Sequence, residues 1–255
     1  MISIITAIYN QLPVNKLYWE SLQRYTHYPF ELIIIDNGST DGSAEFFESV
    51  GAKVIRNSAN YSYPYCQNQG IAIAQYDYLA FLNNDLIVCP DWDKNLLASM
   101  AAHGLEAITA CGIENCGDKT VRKKFRRRWQ RLKNFLGLFG GHQNNLARMH
   151  RWMYRPNWET FSAQWSGSRK LEVKEGFVGS SVVLARSALA KIGLWDERLQ
   201  AADFDLYLRT KKRSLEVGDI KPLHIAMDTF IHHYIRLTLR SPYPPFADAV
   251  KLGAV

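Results

Sequence analysis

A chain of 255 residues, 47% hydrophobic and 22% charged, has a globular composition, and its 16 Gly and 9 Pro are too few for a fibrous or low-complexity chain. The length suits one large α/β domain or two small ones, with a full core. The formal charge of +7 is local: Arg122 to Lys133 carries eight Lys or Arg and no acid, and the other 23 basic residues balance 24 acidic ones. One basic device for one acidic partner is expected, in place of general polyanion binding.

The opening MISIITAIYN has neither a charged n-region nor a small-residue cleavage site, and no apolar run approaches a membrane span. The chain therefore reads as cytoplasmic and unprocessed. Ile2 to Ile8 reads as a strand, followed by a helix carrying Leu17, Trp19, Leu22 and Tyr25. Leu32 to Ile35 is a second strand stopped by Asp36-Asn37-Gly38, and Ser39 to Gly42 starts a helix with Ala44, Phe46 and Phe47. Lys53 to Ile55 gives a third strand, Tyr65 to Ala74 a third helix, and Tyr78 to Leu82 a fourth strand ending at Asn83-Asn84-Asp85. Strand-helix alternation implies a parallel sheet.

The residues after such strands gather along one edge, where open α/β sheets bind ligands. Here they are Tyr9 and Asn10, Asp36 and Asn37, Asn57, and Asn83 to Asp85. Turn geometry accounts for any one of these sites, whereas all of them together point to a polar binding edge. Neither G-x-G-x-x-G nor G-x-x-x-x-G-K-[ST] occurs, which disfavours dinucleotide oxidoreductases and P-loop enzymes. A nucleoside diphosphate at this edge would call for a divalent ion, with Asp85 as the first carboxylate. The cysteines, Cys66, Cys89, Cys111 and Cys116, read as reduced thiols, since the spacing of Cys111 and Cys116 has no second Cys/His pair to complete a zinc site.

In the middle of the chain, Val121, Phe125, Trp129, Leu132, Leu136 and Phe139 recur at spacings of three or four with cations between them. This is an amphipathic basic helix. It suits an anionic membrane surface through 122–139, with the aromatic stripe in the interface; a helix packed on the domain with a solvated basic face, or one contacting an acidic acceptor, are the other readings. Nucleic acid is the less favoured partner.

Thr6-Ala7-Ile8-Tyr9-Asn10, Ile35 to Ser43, Asn68-Gln69-Gly70 and Phe81 to Asp85, in this order, resemble the nucleotide-binding half of family 2 glycosyltransferases. Gly179-Ser180-Ser181, Ile192 to Arg198, and Asp203-Phe204-Asp205-Leu206 with Arg209 resemble the acceptor-side half. The resemblance covers about residues 1 to 100 and 175 to 235. It implies a GT-A fold: a Rossmann-like, mostly parallel central sheet flanked by helices, with the basic helix as an insertion. The expected organisation is a nucleotide-sugar-binding half over 1–100, a variable region over 101–175, an acceptor-side half over 176–240 and a tail over 241–255.

The resemblance also implies inverting transfer of a sugar from a nucleotide-sugar donor to a glycan or lipid-linked acceptor, with Mg²⁺ or Mn²⁺ as cofactor. Thr6, Tyr9 and Asp36 would hold base and ribose, with Asn68 near them. Asn83-Asn84-Asp85 stands at the D-x-D-type metal motif, leaving Asp85 as its only charged ligand and Asn84 for ribose or sugar. Asp203 would be the general base, although the acid that precedes it in the family motif is Ala202 here. Capping of the helix bearing Leu206 and Arg209 is the other reading of Asp203, and Asp205 supports that helix N-terminus. His232-His233 lies where the family places a metal-site histidine. Strand alternation lets only one ring face the site, and position relative to Thr238 favours His233. Trp195 is either an acceptor platform or a core residue. The rival function is a non-catalytic GT-A-like polyanion-binding protein.

Overall fold

The structure, a computed structural model, describes residues 1–235 and 244–249. Thr238 and the tail from 241, apart from 244–249, lie outside the described residues.

The first third folds as its alternation predicts. Strands β1 (Ile2–Ile8), β2 (Phe30–Asp36), β3 (Lys53–Arg56) and β4 (Tyr78–Leu82) are separated by helices α1 (Leu12–Tyr25), α2 (Ser43–Ser49) and α3 (Tyr63–Ile73). Ile2, Ile4, Ile5 and Ile33 to Ile35 are fully buried, because both faces of this parallel sheet are covered. Beyond β4 come a two-residue strand β5 (Leu86–Ile87), α4 (Trp92–His103) and β6 (Ala107–Gly112). Next are α5 (Lys119–Leu136), α6 (Gln143–Met153), α7 (Trp158–Gly167) and β7 (Val173–Glu175). The chain continues through β8 (Ser181–Ala185), α8 (Arg186–Ile192), α9 (Ala202–Glu216) and β9 (His224–His233).

The sheet runs β3-β2-β1-β4-β8-β6-β9-β5, with β7 on β9. The parallel group ends at β4, since β8 is antiparallel to both β4 and β6, while β6 and β9 are again parallel. Two antiparallel steps restore the original direction. The C-terminal ends of β1, β4, β6 and β9 and the N-terminal end of β8 consequently share one edge of the sheet. The strand order reverses between β1 and β4, which is where a crevice opens in such sheets.

The basic helix forms as predicted, with Asp118 as N-cap accepting from Thr120 N and Val121 N. Its stripe differs from the interfacial expectation, because it packs inward. Trp129 and Leu136 are buried, Val121, Phe125 and Leu132 are half-buried against the core, and of the six only Phe139 is exposed. The reason is an aromatic layer supplied by α6, α7 and β9. Phe125 sits 5.5 Å from Phe230, 5.8 Å from Phe161 and 6.2 Å from Trp165, and Trp129 sits 5.3 Å from His232. The cations Lys123, Lys124, Arg126, Arg127 and Arg131 remain exposed. All four cysteines are buried as free thiols, and burial pushes Cys66 and Cys89 up to about 12.

Candidate active site

Two adjoining cavities open along the shared edge, with Tyr63 lining both. The first, about 400 Å³, lies at the end of β1 and is lined by Tyr9, Asn37, Asn60, Tyr61, Asn84 and Phe246 among others. The second, about 520 Å³, is lined by Asn83 after β4, Glu114 after β6, Val178 to Ser180 before β8, Ala202 and Asp203 at the start of α9, and His233 at the end of β9. The first combines the side chains of Asn37, Asn60 and Asn84 with aromatic and proline rings. The second collects the titratable groups.

The expected donor residues separate into two sets. Tyr9 and Asn84 line the first cavity, and Asn84 is held by a 2.7 Å bond from its Nδ2 to Asn15 Oδ1. Thr6 is fully buried, with its Oγ1 2.7 Å from the Tyr18 hydroxyl. Asp36 is also buried, and its carboxylate accepts from Ser39 N at 3.1 Å, bracing the turn after β2. Its neighbour Asn37 reaches the cavity, while its side chain donates to Tyr61 O and accepts from Asn57 Nδ2. Asn68 ties α3 to the segment before α9: its Nδ2 donates to Trp195 O and Glu197 Oε1, and its Oδ1 accepts from Trp195 N. Trp195 is a core residue, 3% exposed, packed edge-on against Tyr63 at 5.4 Å and Phe81 at 5.1 Å.

Asp203 faces the second cavity. Ala201 is the N-cap of α9 and makes no side-chain cap bond, whereas Asp203 lies inside the first turn and, among the described residues, accepts from Phe204 N alone, at 2.9 Å, in its own turn. A Cβ on Gly179 would stand 1.8 Å from Asp203 Oδ2, so the carboxylate approaches where only glycine leaves room. Asp205 pairs instead with Arg209, at 2.7 Å, one turn along. The Tyr63 hydroxyl is buried without a hydrogen-bond partner among the described residues. Burial, reinforced by the charge of Asp203, raises its pKa and keeps it a neutral donor.

The two histidines face opposite ways, as alternation along β9 requires. His232 is fully buried beneath the sheet, its Nδ1 3.0 Å from the Tyr154 hydroxyl, and burial drives its pKa well below the ordinary value. His233 points to the site: its Nε2 is 3.1 Å from Asp85 Oδ1, and its Nδ1 bonds Glu114 Oε1. Burial acts to lower its pKa, but the two carboxylates outweigh it and raise the value to about 10.

Among the described residues, no three His, Cys, Asp or Glu side chains are gathered round one point as a metal cage. Asp85 and His233 nevertheless supply an oxygen and a nitrogen donor side by side. That suits a hard divalent ion that keeps waters and takes substrate phosphate oxygens as its remaining ligands. Glu114 and Tyr63 are cavity residues absent from the expected site, and Asn37, expected as part of the polar edge, lines the first cavity. Glu114 is hidden in the sequence because the run Ala107 to Gly112 is followed by Ile113 and not at once by Asn or Asp, so the residue does not register there as one more strand-end acid.

Residues 3–156 match the domain described as Glycosyl transferase family 2. The chain belongs to this family. A curated relative, the uncharacterized glycosyltransferase YibD of Escherichia coli K12, is 29% identical over 123 residues, covering 47% of this chain and 36% of that protein. The chain thus aligns with only about a third of that relative's length. Residues 1–349 of S. aureus TarS superpose with a TM-score of 0.56 at 15% identity, covering 91% of this chain and 60% of that one. The mannosyltransferase PcManGT from Pyrobaculum calidifontis, solved with GDP-Man and Mn²⁺, gives 0.52 at 14% identity, covering 88% and 56%. The expected GT-A fold is the one observed.

Proposed function

We propose that this family 2 chain transfers a sugar, with inversion, from a nucleoside-diphosphate donor to a hydroxyl of a glycan or lipid-linked acceptor. The observation that carries the reading is the meeting of Asp203, His233, Glu114 and the Asn83–Asp85 turn at one edge, beside the cavity at the end of β1. The donor base and ribose would lie against Tyr9, Asn37 and Asn84, with the diphosphate directed past Tyr63 into the second cavity. Thr6 and Asp36 would shape this pocket from behind.

Asp85 and His233 would hold a divalent cation, Mg²⁺ or Mn²⁺, which neutralises the charge growing on the leaving diphosphate. The Pyrobaculum enzyme's complex with GDP-Man and Mn²⁺ supports the choice of ion class. Asp203 takes the proton of the acceptor hydroxyl as its oxygen bonds to the anomeric carbon, while the bond from that carbon to the diphosphate breaks and its electron pair leaves with the nucleotide. The neutral Tyr63 hydroxyl offers a donor to the substrate between the two cavities.

The aromatic ledge at the mouth suits the apolar face of a sugar ring. Phe204 is 47% exposed beside Asp203, and its ring lies 5.9 Å from Phe177, which lines the cavity and stacks on Tyr207 at 5.6 Å. A lipid-linked acceptor is supported by the end of the basic segment. Phe135, Leu138 and Phe139 are 58, 82 and 60% exposed next to the cation ridge, an apolar tip with basic flanks that fits an anionic bilayer surface. Among the described residues no helix is long and apolar enough to cross a membrane.

Thermal denaturation with UDP or GDP tests the donor assignment. One nucleotide with Mn²⁺ at about 100 times its Kd stabilises the protein by about 2.7 kcal/mol. Equal melting temperatures with and without every nucleoside diphosphate would contradict it.

A further inference from the structure

Glu114 has no part in the metal motif at Asn83-Asn84-Asp85, yet it is built into the same edge. It follows β6, lines the larger cavity, and bonds through Oε1 to the Nδ1 of His233. Its second oxygen, Oε2, is buried with no hydrogen-bond partner among the described residues. The backbone makes room for it: a Cβ on Gly112 would stand 3.1 Å from Glu114 Oε2 and 3.0 Å from the Ile231 carbonyl. On the far side of the imidazole, Nε2 meets Asp85 at 3.1 Å. The three side chains therefore lie in line as carboxylate, imidazole, carboxylate.

We infer that Glu114 is a positioning residue of the metal centre: by holding the Nδ1 proton of His233 it fixes the ring's rotation, so that a divalent cation displaces the Nε2 proton to solvent and takes the Nε2 lone pair beside Asp85. The inference rests on the metal reading proposed above. A neutral imidazole carries one proton on either nitrogen, and only the Nδ1–H form leaves Nε2 free to ligate. Carboxylates that take the remaining ring proton of a metal-bound histidine orient the ring and raise its basicity, and their loss typically costs about 10- to 100-fold in metal affinity. With Asn83 and Asn84 neutral, Glu114 also gives this edge a second carboxylate beside Asp85.

Calorimetric titration of the full chain with MnCl₂ tests this without any sugar acceptor, using Glu114→Ala, Glu114→Asp and Glu114→Gln. The shorter Asp withdraws the carboxylate from Nδ1 but keeps its charge, whereas the Gln amide oxygen keeps an acceptor in place. Ala and Asp should weaken Mn²⁺ binding by about 10- to 100-fold and Gln by less than about 10-fold. Nitrogen-15 NMR of His233 with Zn²⁺ as a diamagnetic ion should show a protonated Nδ1 and a metal-bound Nε2 in the wild type, and a mixture of tautomers in the Asp variant. Equal Mn²⁺ affinity in the wild type and the Asp variant, or metal on Nδ1, overturns the role of Glu114 alone. A wild type that binds no Mn²⁺, with or without UDP or GDP, overturns the metal reading itself.

Discussion

Asp203 and Gly179 act as one unit, since the carboxylate occupies the space a side chain at 179 would take. Asp203→Asn keeps the shape and the local bond from Phe204 N but cannot accept the acceptor's proton. Turnover with a good acceptor should fall about 10²- to 10⁴-fold while the melting temperature holds; near-normal turnover would leave Asp203 a structural residue of the first turn of α9. Gly179→Ala should produce a loss of similar direction by displacing the carboxylate, and circular dichroism should show the fold intact. Unchanged kinetics in this variant would mean that the observed placement of Asp203 is not the working one.

At the scale of elements, α5 has one face packed into the core and one exposed face of cations. Trp129→Ala removes a buried ring that also donates to Ile235 O at 3.3 Å, and should cost about 3–5 kcal/mol in urea denaturation. Replacing the exposed Arg126, Arg127 and Arg131 with Glu should leave stability nearly unchanged and abolish binding to anionic vesicles at low salt, where each cation near the surface contributes about 1 kcal/mol. Arg128 is kept, because its Nη2 donates to Trp152 O at 2.5 Å. Vesicle binding that survives the triple change would remove the cation ridge from the membrane reading. The helix and its apolar stripe were legible from spacing alone; what covers the stripe was not. Its partners Tyr154, Phe161, Trp165 and Phe230 lie far along the chain, and only the fold brings them to Phe125. Strands β1 to β4 were legible because apolar runs stop at Asn or Asp, whereas the two antiparallel steps around β8 have no local marker. Alternation likewise shows that only one of His232 and His233 faces the site, with position relative to Thr238 favouring His233, but Glu114 has no marker that places it beside that ring.

Across the whole molecule, the buried histidines give acid sensitivity a definite sign. His150 and His232 lie 5.0 Å apart and are held neutral by burial, His150 down to about 3. The unfolded chain takes up their protons below about pH 6.5 and the folded protein does not, so the stability they contribute above that pH is lost as pH falls toward 3. The slope is about 1.4 kcal/mol per pH unit for each group. His233, its pKa raised to about 10, adds stability as pH falls through about 6.5, so it opposes the loss between pH 7 and 6 and leaves the slope below that untouched. Urea midpoints measured from pH 7 to 4 should therefore fall, and His150→Phe should reduce the slope below pH 6 by about one such increment; an unchanged slope would mean that His150 is not held neutral.

In the proposed reaction, the edge shared by β1, β4, β6, β8 and β9 breaks the bond between a sugar and a nucleoside diphosphate. Its most direct test is NMR-monitored hydrolysis of a panel of UDP- and GDP-sugars by the purified chain, with Mn²⁺ and with EDTA. One donor should be consumed with Mn²⁺, releasing the sugar with inverted anomeric configuration, and consumption should stop with EDTA and fall steeply in Asp203→Asn. Release with retained configuration, or equal rates in the wild type and Asp203→Asn, would contradict the account.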